Sequence, residues 1–291
     1  MRIALHGKQF SGEAELHIQQ IIDELERLEI DIWLSTSFSE IVKQSTVKIS
    51  EIKSYSSIKA IEPVDYVFSI GGDGTLLETV TQVNDTMVPI LGINTGRLGF
   101  LATIAKTEII SAIDALINSK YELDKRALLK LVTKENLFGD LNFALNEVTV
   151  IKKDTSSMIK VNCFIDDQFL NTYWADGLMI STPTGSTGYS LSCGGPVVMP
   201  HSGNFLITPI NPHNLNLRPI VVSDSSVIGI EVDSRGTNFL TSLDSRSETI
   251  DSSVKMTIMQ ESFKVRLIKL PGFSFLDTLR NKLNWGFDVR N

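Results

Sequence analysis

Residues 69–77, Ser-Ile-Gly-Gly-Asp-Gly-Thr-Leu-Leu, place three glycines around one aspartate directly after an apolar run. The run at 66–68 is typical of a buried parallel strand, and the apolar residues at 76, 77 and 80 recur at helical spacing. Glycines let backbone N–H groups close on an anion, and the N-terminus of the following helix favours negative charge. The stretch therefore predicts a strand–turn–helix phosphate site with Asp73 as its base.

A buried turn that uses glycine for positive φ is the alternative interpretation of this stretch. It accounts for one or two of the glycines. It does not account for an acidic residue, Asp73, placed between glycines where an anion would bind.

Length and composition exclude several classes of protein. At 291 residues the chain is long enough for two domains, and no apolar run approaches the ~18 residues of a membrane span. A net charge of −7 argues against a nucleic-acid-binding or anionic-membrane surface. The N-terminus lacks the pattern of a signal peptide, and two cysteines make no disulfide framework, so we expect a cytoplasmic protein.

Strands and helices alternate over the first 120 residues. We expect strands at residues 2–6, 31–34 and 88–94, and helices near residues 12–29 and 107–118, besides the central strand and helix. The strand at 88–94 ends in Thr-Gly-Arg-Leu-Gly-Phe, so this loop should lie beside the first glycine turn at the carboxyl edge of one parallel sheet. Its Arg97 is either a ligand contact or a solvated loop cation.

From about residue 121 the pattern changes to short apolar and β-branched runs separated by turn residues. The spacing is typical of an all-β sandwich or meander. The expected strands are 128–132, 143–151, 159–165, 178–181, 205–207, 220–222, 227–232, 239–243, 254–259 and 265–270. Residues 271–291 regain helical character and are expected to pack back on the first domain. The sequence thus predicts an α/β domain over 1–120 and a β-rich domain over 121–270.

Asn146 and Glu147 interrupt the strand-like run at 144–150. An amide next to a carboxylate is costly to bury without partners, so a polar ligand is one explanation, and such a pair can hold ribose hydroxyls. The alternative is a solvent-facing pair at a bend of the strand.

The longest candidate segment is 176–196, which begins at Asp176. Between Ser181 and Gly195 it holds seven Ser or Thr hydroxyls, four glycines and Tyr189. Such a segment supplies donors to phosphates and an aromatic face to a base. It contains no Gly-x-Ser-x-Gly, and the chain has no Walker P-loop. A flexible linker is the alternative, and the apolar flanks argue against it. His213 and Arg246 are further candidates whose contact with a ligand the sequence leaves open.

At these residues the chain resembles the NAD kinase family, which transfers the γ-phosphoryl group of ATP to the adenosine-side ribose 2′-hydroxyl of NAD. The resemblance spans nearly the whole chain. It is carried by residues 71–75, 92–100, Asn146-Glu147, the 176–196 segment, Pro212-His213 and Trp285-Gly286. The first motif is shared with diacylglycerol kinases, sphingoid kinases and phosphofructokinases, whereas Asn146-Glu147 followed by Asp176-Gly177 and the Thr-Pro-Thr-Gly-Ser-Thr run at 182–187 single out this family.

The resemblance implies an N-terminal Rossmann-like parallel-sheet domain, a β-sandwich-like C-terminal domain, an active site between them and a homo-oligomer, either dimer or tetramer. It implies Mg²⁺ or another divalent cation with ATP, and NAD as substrate. Asp73 would be the general base, a magnesium ligand or both. The implied nucleotide-binding residues are Gly72, Gly74, Asn146, Glu147, Asp176, Thr187, Gly188, Tyr189, Ser190, Leu191 and Ser192.

The chain departs from the usual family pattern at three positions. Many relatives have a basic residue where Glu78 stands, alanine where Gly188 stands, and glutamine where Arg246 stands. Two other classes of function remain open at this point: a lipid or sphingoid kinase, which would not need Asn146-Glu147, and a non-catalytic dinucleotide sensor, which would not need Asp73. The sequence leaves open the choices between NAD and NADH and between ATP and polyphosphate, and any feedback regulation.

Overall fold

The computed structural model describes residues 1–10, 12–96, 99–153, 158–233 and 238–285. The chain divides into two compact units. Unit 1 is Met1–Lys125 together with the C-terminal segment that starts at Val265, and unit 2 is Arg126–Lys264.

The first 126 residues alternate between strands and helices. In chain order the described elements are β1 (Arg2–Gly7), α1 (Glu13–Arg27), β2 (Asp31–Ser35), α2 (Thr36–Gln44), β3 (Lys53–Tyr55), β4 (Tyr66–Ile70), α3 (Asp73–Val83), β5 (Ile90–Asn94), β6 (Ile104–Ala105), α4 (Ile109–Ile117) and β7 (Glu122–Arg126).

Short strands dominate the rest of the chain. They are β8 (Leu129–Val132), β9 (Phe143–Ala144), β10 (Glu147–Lys152), β11 (Ile159–Ile165), β12 (Gln168–Ala175), β13 (Gly177–Ser181), β14 (Asn204–Ile210), β15 (Ile220–Ser223), β16 (Ile228–Asp233), β17 (Phe239–Leu243), β18 (Arg246–Ile250), β19 (Met256–Gln260) and β20 (Val265–Lys269). The one-turn helix α5 (Tyr189–Ser192) follows β13, and α6 (Phe275–Leu283) follows β20.

Unit 1 is built on an eight-stranded sheet of described residues, in the order β3-β2-β1-β4-β5-β20-β7 with β6 beside β5. The pairs β1–β2, β1–β4 and β4–β5 are parallel. The apolar stripe of α1 is buried against this sheet at Ile18, Ile21, Ile22 and Leu25. Parallel pairing brings the carboxyl ends of β1, β4 and β5 to one edge of the sheet, as the sequence predicts.

The strand β20 differs from the expectation that residues 265–270 continue the β-rich region. It pairs in parallel with β5, where Leu267 lies opposite Ile90, and so it belongs to the sheet of unit 1. Alternation of apolar residues predicts that a segment is a strand, but it does not predict which sheet the strand joins.

Unit 2 contains two six-stranded sheets of described residues, in the orders β15-β14-β13-β10-β17-β18 and β12-β11-β16-β19-β8-β9. Neighbouring strands are antiparallel throughout the described pairs. Apolar residues of both sheets, including Val148, Ile180, Val161 and Ile230, form one core. The predicted class, α/β followed by an all-β, sandwich-like region, is confirmed.

The first of these sheets has a second, polar face. Side chains alternate along a strand, so residues beside the core positions Val148 and Ile180 point the other way. On that face Glu147 lies opposite Ser181, Thr149 lies opposite Ser242, and Thr208 lies opposite Met179 in the strand register. In the part of the chain that the structure describes, no helix is long and apolar enough to cross a membrane.

Candidate functional site

The glycine turn between β4 and α3 lies at the carboxyl edge of the parallel sheet. Gly71 has a φ of 150°, and a Cβ there would lie 2.3 Å from Thr75 Oγ1, so only glycine fits. The N–H of Gly71 donates to the carbonyl of Ile93 at 2.9 Å, which ties the turn to β5.

The first turn of α3 is open on one side. A Cβ at Gly72 or Gly74 would meet no atom within 4 Å. The first N–H groups of a helix lack carbonyl partners in a preceding turn and favour an anion, and in α3 the N–H of Thr75 already donates to the Gly72 carbonyl at 3.0 Å. Gly72 and Gly74 therefore leave room for a phosphate to approach these donors. Arg97, a candidate ligand contact in the neighbouring loop, lies outside the described residues.

The carboxylate of Asp73 is held by three consecutive backbone N–H groups. Oδ1 accepts from Leu101 and Ala102, both at 3.0 Å, and Oδ2 accepts from Phe100 at 2.8 Å. A carboxylate offers about four acceptor positions, two on each oxygen. Oδ1 is thus filled, and Oδ2 keeps one position for another donor.

Glu78 does not face this turn as an unpaired negative charge. Its Oε1 lies 2.6 Å from Lys8 Nζ, and its Oε2 lies 3.6 Å from Nε2 of the buried His6. Gln82 Nε2 lies 2.9 Å from His6 Nδ1, and an amide nitrogen can only donate, so we assign the ring proton to Nε2, toward Glu78. Burial lowers the pKa of His6, which favours this neutral form.

In unit 2, Asp244 shapes the chain around Asn146 and Glu147. Its Oδ2 accepts from the N–H of Leu145 at 2.9 Å, and its Oδ1 accepts from Asn146 at 2.8 Å and Glu147 at 3.1 Å. Asp244 lies in the two-residue turn between β17 and β18, with a φ of 54°. Its carboxylate therefore fixes the backbone of the two predicted ligand-binding residues.

Asn146 and Glu147 present buried polar atoms that lack partners among the described residues. These atoms are Asn146 Oδ1 and Glu147 Oε2, and Ser181 Oγ on the same polar face is a third. Buried polar atoms are nearly always hydrogen-bonded, so such atoms indicate a place for a ligand or water. Burial, followed by the neighbouring charge of Asp244, raises the pKa of Glu147 to about 8.

The 181–195 segment packs directly on Asn146. A Cβ at Gly185 would lie 2.1 Å from the Asn146 carbonyl oxygen, and the N–H of Thr182 donates to that oxygen at 2.9 Å. A Cβ at Gly188 would lie 3.5 Å from Glu147 Oε2 and 3.6 Å from Asn146 Nδ2. The structure thus brings the two predicted motifs, far apart in the sequence, into contact.

Tyr189 and Asp176 lie near Glu147. Burial raises the pKa of the Tyr189 hydroxyl, and Cys193, Asp176 and Glu147 add to the rise. Asp176 pairs with Lys152 Nζ at 2.6 Å, which lowers the pKa of Asp176. Tyr189 is 42% exposed, so its ring is available to a ligand.

The remaining predicted residues differ in how available their side chains are. Ser190 is buried, and its hydroxyl lies 3.0 Å from Thr208 Oγ1, whereas Thr187 Oγ1 donates to the Thr184 carbonyl at 3.1 Å. Leu191 is half-buried and Ser192 is exposed. The hydroxyl of Thr187 is thus used within the segment, and that of Ser190 ties the segment to β14.

The two candidates that the sequence left open are placed differently. Arg246 donates to the carbonyls of Leu141 and Phe143, and its guanidinium lies 5.6 Å from the ring centre of Phe143. It therefore braces the chain before Asn146. His213 is exposed in its loop, where its backbone N–H donates to the Trp174 carbonyl at 2.9 Å.

Sequence reasoning missed Asp244 and Lys152 as parts of this site, and it included Ser181 only as one of the hydroxyl residues of the 176–196 segment. Asp244 lies two residues before Arg246, in the turn between β17 and β18. The available signal was an aspartate at a two-residue hairpin turn, where a short acceptor side chain is common for local reasons. Its bonds to residues 145–147 could not be read from that pattern.

The raised pKa of Glu147 predicts a dependence of stability on pH. The folded protein keeps this proton up to about pH 8, whereas a glutamate with the ordinary pKa of 4.5 loses it much earlier. Between these values the unfolded chain binds fewer protons, so the free energy of unfolding falls as pH rises. Denaturant titrations at pH 5 and pH 8 should show a smaller fall for Glu147→Gln than for the wild type.

The exposed Glu248 supplies the matched control for this titration. Glu248→Gln should keep the pH dependence of the wild type. An equal fall in the wild type and Glu147→Gln would contradict the prediction.

Two family models match the chain. The ATP-NAD kinase N-terminal domain matches residues 14–121, and the ATP-NAD kinase C-terminal domain matches residues 145–270. The chain is similar to the NAD kinase of Cytophaga hutchinsonii, with 49% identity over 292 residues and 100% of both chains covered. It is also similar to the NAD kinase of Christiangramia forsetii, with 42% identity and 100% of both chains covered.

Solved structures give the same result for the fold. Yeast NADH kinase, in a complex with NADH, has a TM-score of 0.88 at 23% identity, covering 99% of this chain and 89% of that chain. An NAD kinase from Archaeoglobus fulgidus, in a complex with ATP, has a TM-score of 0.75 at 26% identity, covering 98% of this chain and 99% of that chain.

Proposed function

The chain belongs to the NAD kinase family, and we propose that it transfers the γ-phosphoryl group of ATP to the adenosine-side ribose 2′-hydroxyl of NAD, giving NADP and ADP. The observation that carries the proposal is the pair of buried, unpartnered atoms Asn146 Oδ1 and Glu147 Oε2 beside Gly188 and Tyr189. An amide and a carboxyl group suit two neighbouring ribose hydroxyls, and an aromatic ring suits a base.

In this proposal unit 2 holds the dinucleotide. Asn146 and Glu147 bind ribose hydroxyls, and Asp176 binds a polar edge of the ligand. Thr187, Gly188, Tyr189, Ser190, Leu191 and Ser192 line the pocket. Because the hydroxyls of Thr187 and Ser190 already have hydrogen-bond partners, Thr184 and Thr208, these two residues would contribute chiefly through their backbone.

Unit 1 supplies the phosphoryl-transfer chemistry. The N–H groups around Gly72 and Gly74 bind phosphate oxygens, and Asp73 accepts the proton of the attacking hydroxyl. The new bond joins the ribose oxygen to the γ-phosphorus, while the bond from that phosphorus to the β–γ bridging oxygen breaks and ADP leaves. Alignment and charge neutralisation supply most of the acceleration, since phosphoryl transfer needs little covalent help from protein.

We propose that Mg²⁺ enters with ATP as part of the donor substrate. Among the described residues no group of three or more His, Cys, Asp or Glu side chains is arranged to hold a metal ion. The triphosphate itself can supply oxygen ligands to Mg²⁺, which keeps several waters in such complexes. The one acceptor position left on Asp73 Oδ2 would serve either that ion or the hydroxyl proton, and the proposal assigns it to the proton.

Purified protein incubated with ATP, Mg²⁺ and NAD should form NADP, measured by chromatography. Parallel incubations with NADH, with polyphosphate in place of ATP, and with a sphingoid base or diacylglycerol in place of NAD define both substrates. Phosphorylation of the lipid alone would replace the proposal with a lipid kinase. Binding of NAD without any product would replace it with a dinucleotide sensor.

The proposal extends to a cytoplasmic homo-oligomer, either dimer or tetramer. Both cysteines of the chain, Cys163 and Cys193, are free thiols, which suits a reducing compartment. Light scattering of the purified protein would give the oligomeric state.

A further inference from the structure

The loop at 99–102 lies so close to the Asp73 carboxylate that residue 99 has no room for a side chain. A Cβ at Gly99 would lie 1.8 Å from Asp73 Oδ1, 2.6 Å from Cγ and 2.9 Å from Oδ2. Heavy atoms without a bond between them do not approach this closely, so a side chain at residue 99 and the observed carboxylate exclude each other. At Gly72 and Gly74, by contrast, a Cβ would meet nothing within 4 Å.

The same loop decides which carboxylate oxygen can react. Leu101 and Ala102 fill both acceptor positions of Oδ1, and Phe100 fills one position of Oδ2. The N–H of Gly99 donates to the Ala102 carbonyl at 3.4 Å, which closes the loop on itself. The second acceptor position of Oδ2 is therefore the one at which Asp73 can take a proton without losing a bond to the loop.

We propose that Gly99 is a positioning residue of the phosphoryl transfer: by leaving room for the carboxylate against the 100–102 amides, it fixes Asp73 so that Oδ2 receives the proton of the acceptor hydroxyl. The proposal rests on the proposed function for its catalytic half. Its geometric half, the contact of Gly99 with Asp73, stands on the distances alone. Gly99 acts through Asp73 and touches no substrate.

A methyl group at residue 99 should displace the carboxylate rather than the sheet. Asp73 Oδ1 is the end of a short side chain, and it moves more easily than the backbone around it. Once displaced, the carboxylate loses its three N–H bonds and its alignment with the acceptor. A misplacement of about 1 Å can lower a rate about 10²-fold, so we expect Gly99→Ala to lower kcat to that extent with KM for ATP and NAD little changed.

A double-mutant cycle separates this role from a general effect on the fold. In the Asp73→Asn background, Gly99→Ala should change kcat by a factor near one, because the base that it misplaces is already gone. Gly229→Ala is the control, since a Cβ there would meet its nearest atom, Phe164 Cβ, at an ordinary 3.5 Å. The proposal would be overturned if Gly99→Ala kept the wild-type kcat. It would also be overturned if Gly99→Ala lowered kcat by the same factor in the wild-type and Asp73→Asn backgrounds.

Amide hydrogen exchange at residues 100–102 tests the geometry without activity. Exchange should be faster in Gly99→Ala and in Asp73→Ala than in the wild type, and the double variant should match Asp73→Ala. If Gly99→Ala does not fold, the double variant should, because Asp73→Ala removes the atoms that the methyl group would meet. If backbone strain at residue 99 caused the instability, the double variant would be unstable as well. That result would contradict the proposed contact between residue 99 and the Asp73 carboxylate.

The two possible failures are distinguishable. An absence of NADP with the wild type would overturn the proposed function and the catalytic half of this inference together. Formation of NADP by the wild type, with unchanged exchange at 100–102 in Gly99→Ala, would overturn the positioning role alone.

Discussion

Replacing Asp73 with asparagine is expected to lower kcat for NADP formation by about 10²–10⁴-fold, the usual contribution of a general acid or base. Asparagine keeps the size of the side chain, and its carbonyl oxygen can still accept from Leu101 and Ala102 in place of Oδ1. Its NH₂ group cannot accept a proton from a hydroxyl. It also faces the N–H of Phe100, where Oδ2 now accepts.

Steady-state kinetics with ATP, Mg²⁺ and NAD measure this effect, and thermal unfolding measured in parallel separates it from instability. Asp85→Asn is the matched control, since Asp85 is exposed and lies outside the glycine turn. Its carboxylate forms an ion pair with Lys59, with 2.6 Å between Oδ1 and Nζ. Undiminished kcat in Asp73→Asn would remove Asp73 from the role of base. Loss of kcat in Asp85→Asn as well would point to a general effect of charge.

Replacing Asp244 with asparagine is expected to lower the free energy of unfolding by about 2–4 kcal/mol, because one of the three half-buried N–H groups loses a charged acceptor and meets a donor. The amide oxygen can keep the bonds from Asn146 and Glu147, while NH₂ faces Leu145. Asparagine tolerates the positive φ of this turn, so the loss is not backbone strain.

Urea titration followed by circular dichroism measures this loss. The control is Asp251→Asn, an exposed residue that accepts only within its own turn, from Ser253 at 2.7 Å, and it should change stability by less than about 0.5 kcal/mol. Equal stability of the two variants would contradict the role given to Asp244. Because residues 145–147 also bear the proposed ribose contacts, KM for NAD should rise in Asp244→Asn and stay constant in Asp251→Asn.

The sequence predicted those parts of the fold whose signals are local. The apolar stripe of α1, the strand before Gly71 and each of the short strands after residue 120 are signalled by the spacing of apolar residues within the segment itself. The resemblance to the NAD kinase family, carried by contiguous motifs such as Asn146-Glu147, is confirmed by the family models. The assignment of individual site residues stays a prediction.

Long-range pairings could not be predicted in this way. Leu145 and Asp244 are 99 positions apart, and Phe100 and Asp73 are 27 apart, so no local pattern reports either bond. The strand β20 joins a sheet whose other strands precede it by more than 130 residues. A single sequence gives the propensity of each segment, whereas these contacts depend on which segments meet.

Asp73 and Asp244 repeat one arrangement in the two units. Each carboxylate accepts from three consecutive backbone N–H groups, two on Oδ1 and one on Oδ2. The backbone conformation of each loop is thus held by hydrogen bonds to the carboxylate of a distant aspartate, and not by the conformational preference of the loop residues alone. A design that grafts residues 100–102 or 145–147 onto another scaffold would therefore have to include the distant aspartate as well. The loop and its carboxylate must be grafted together.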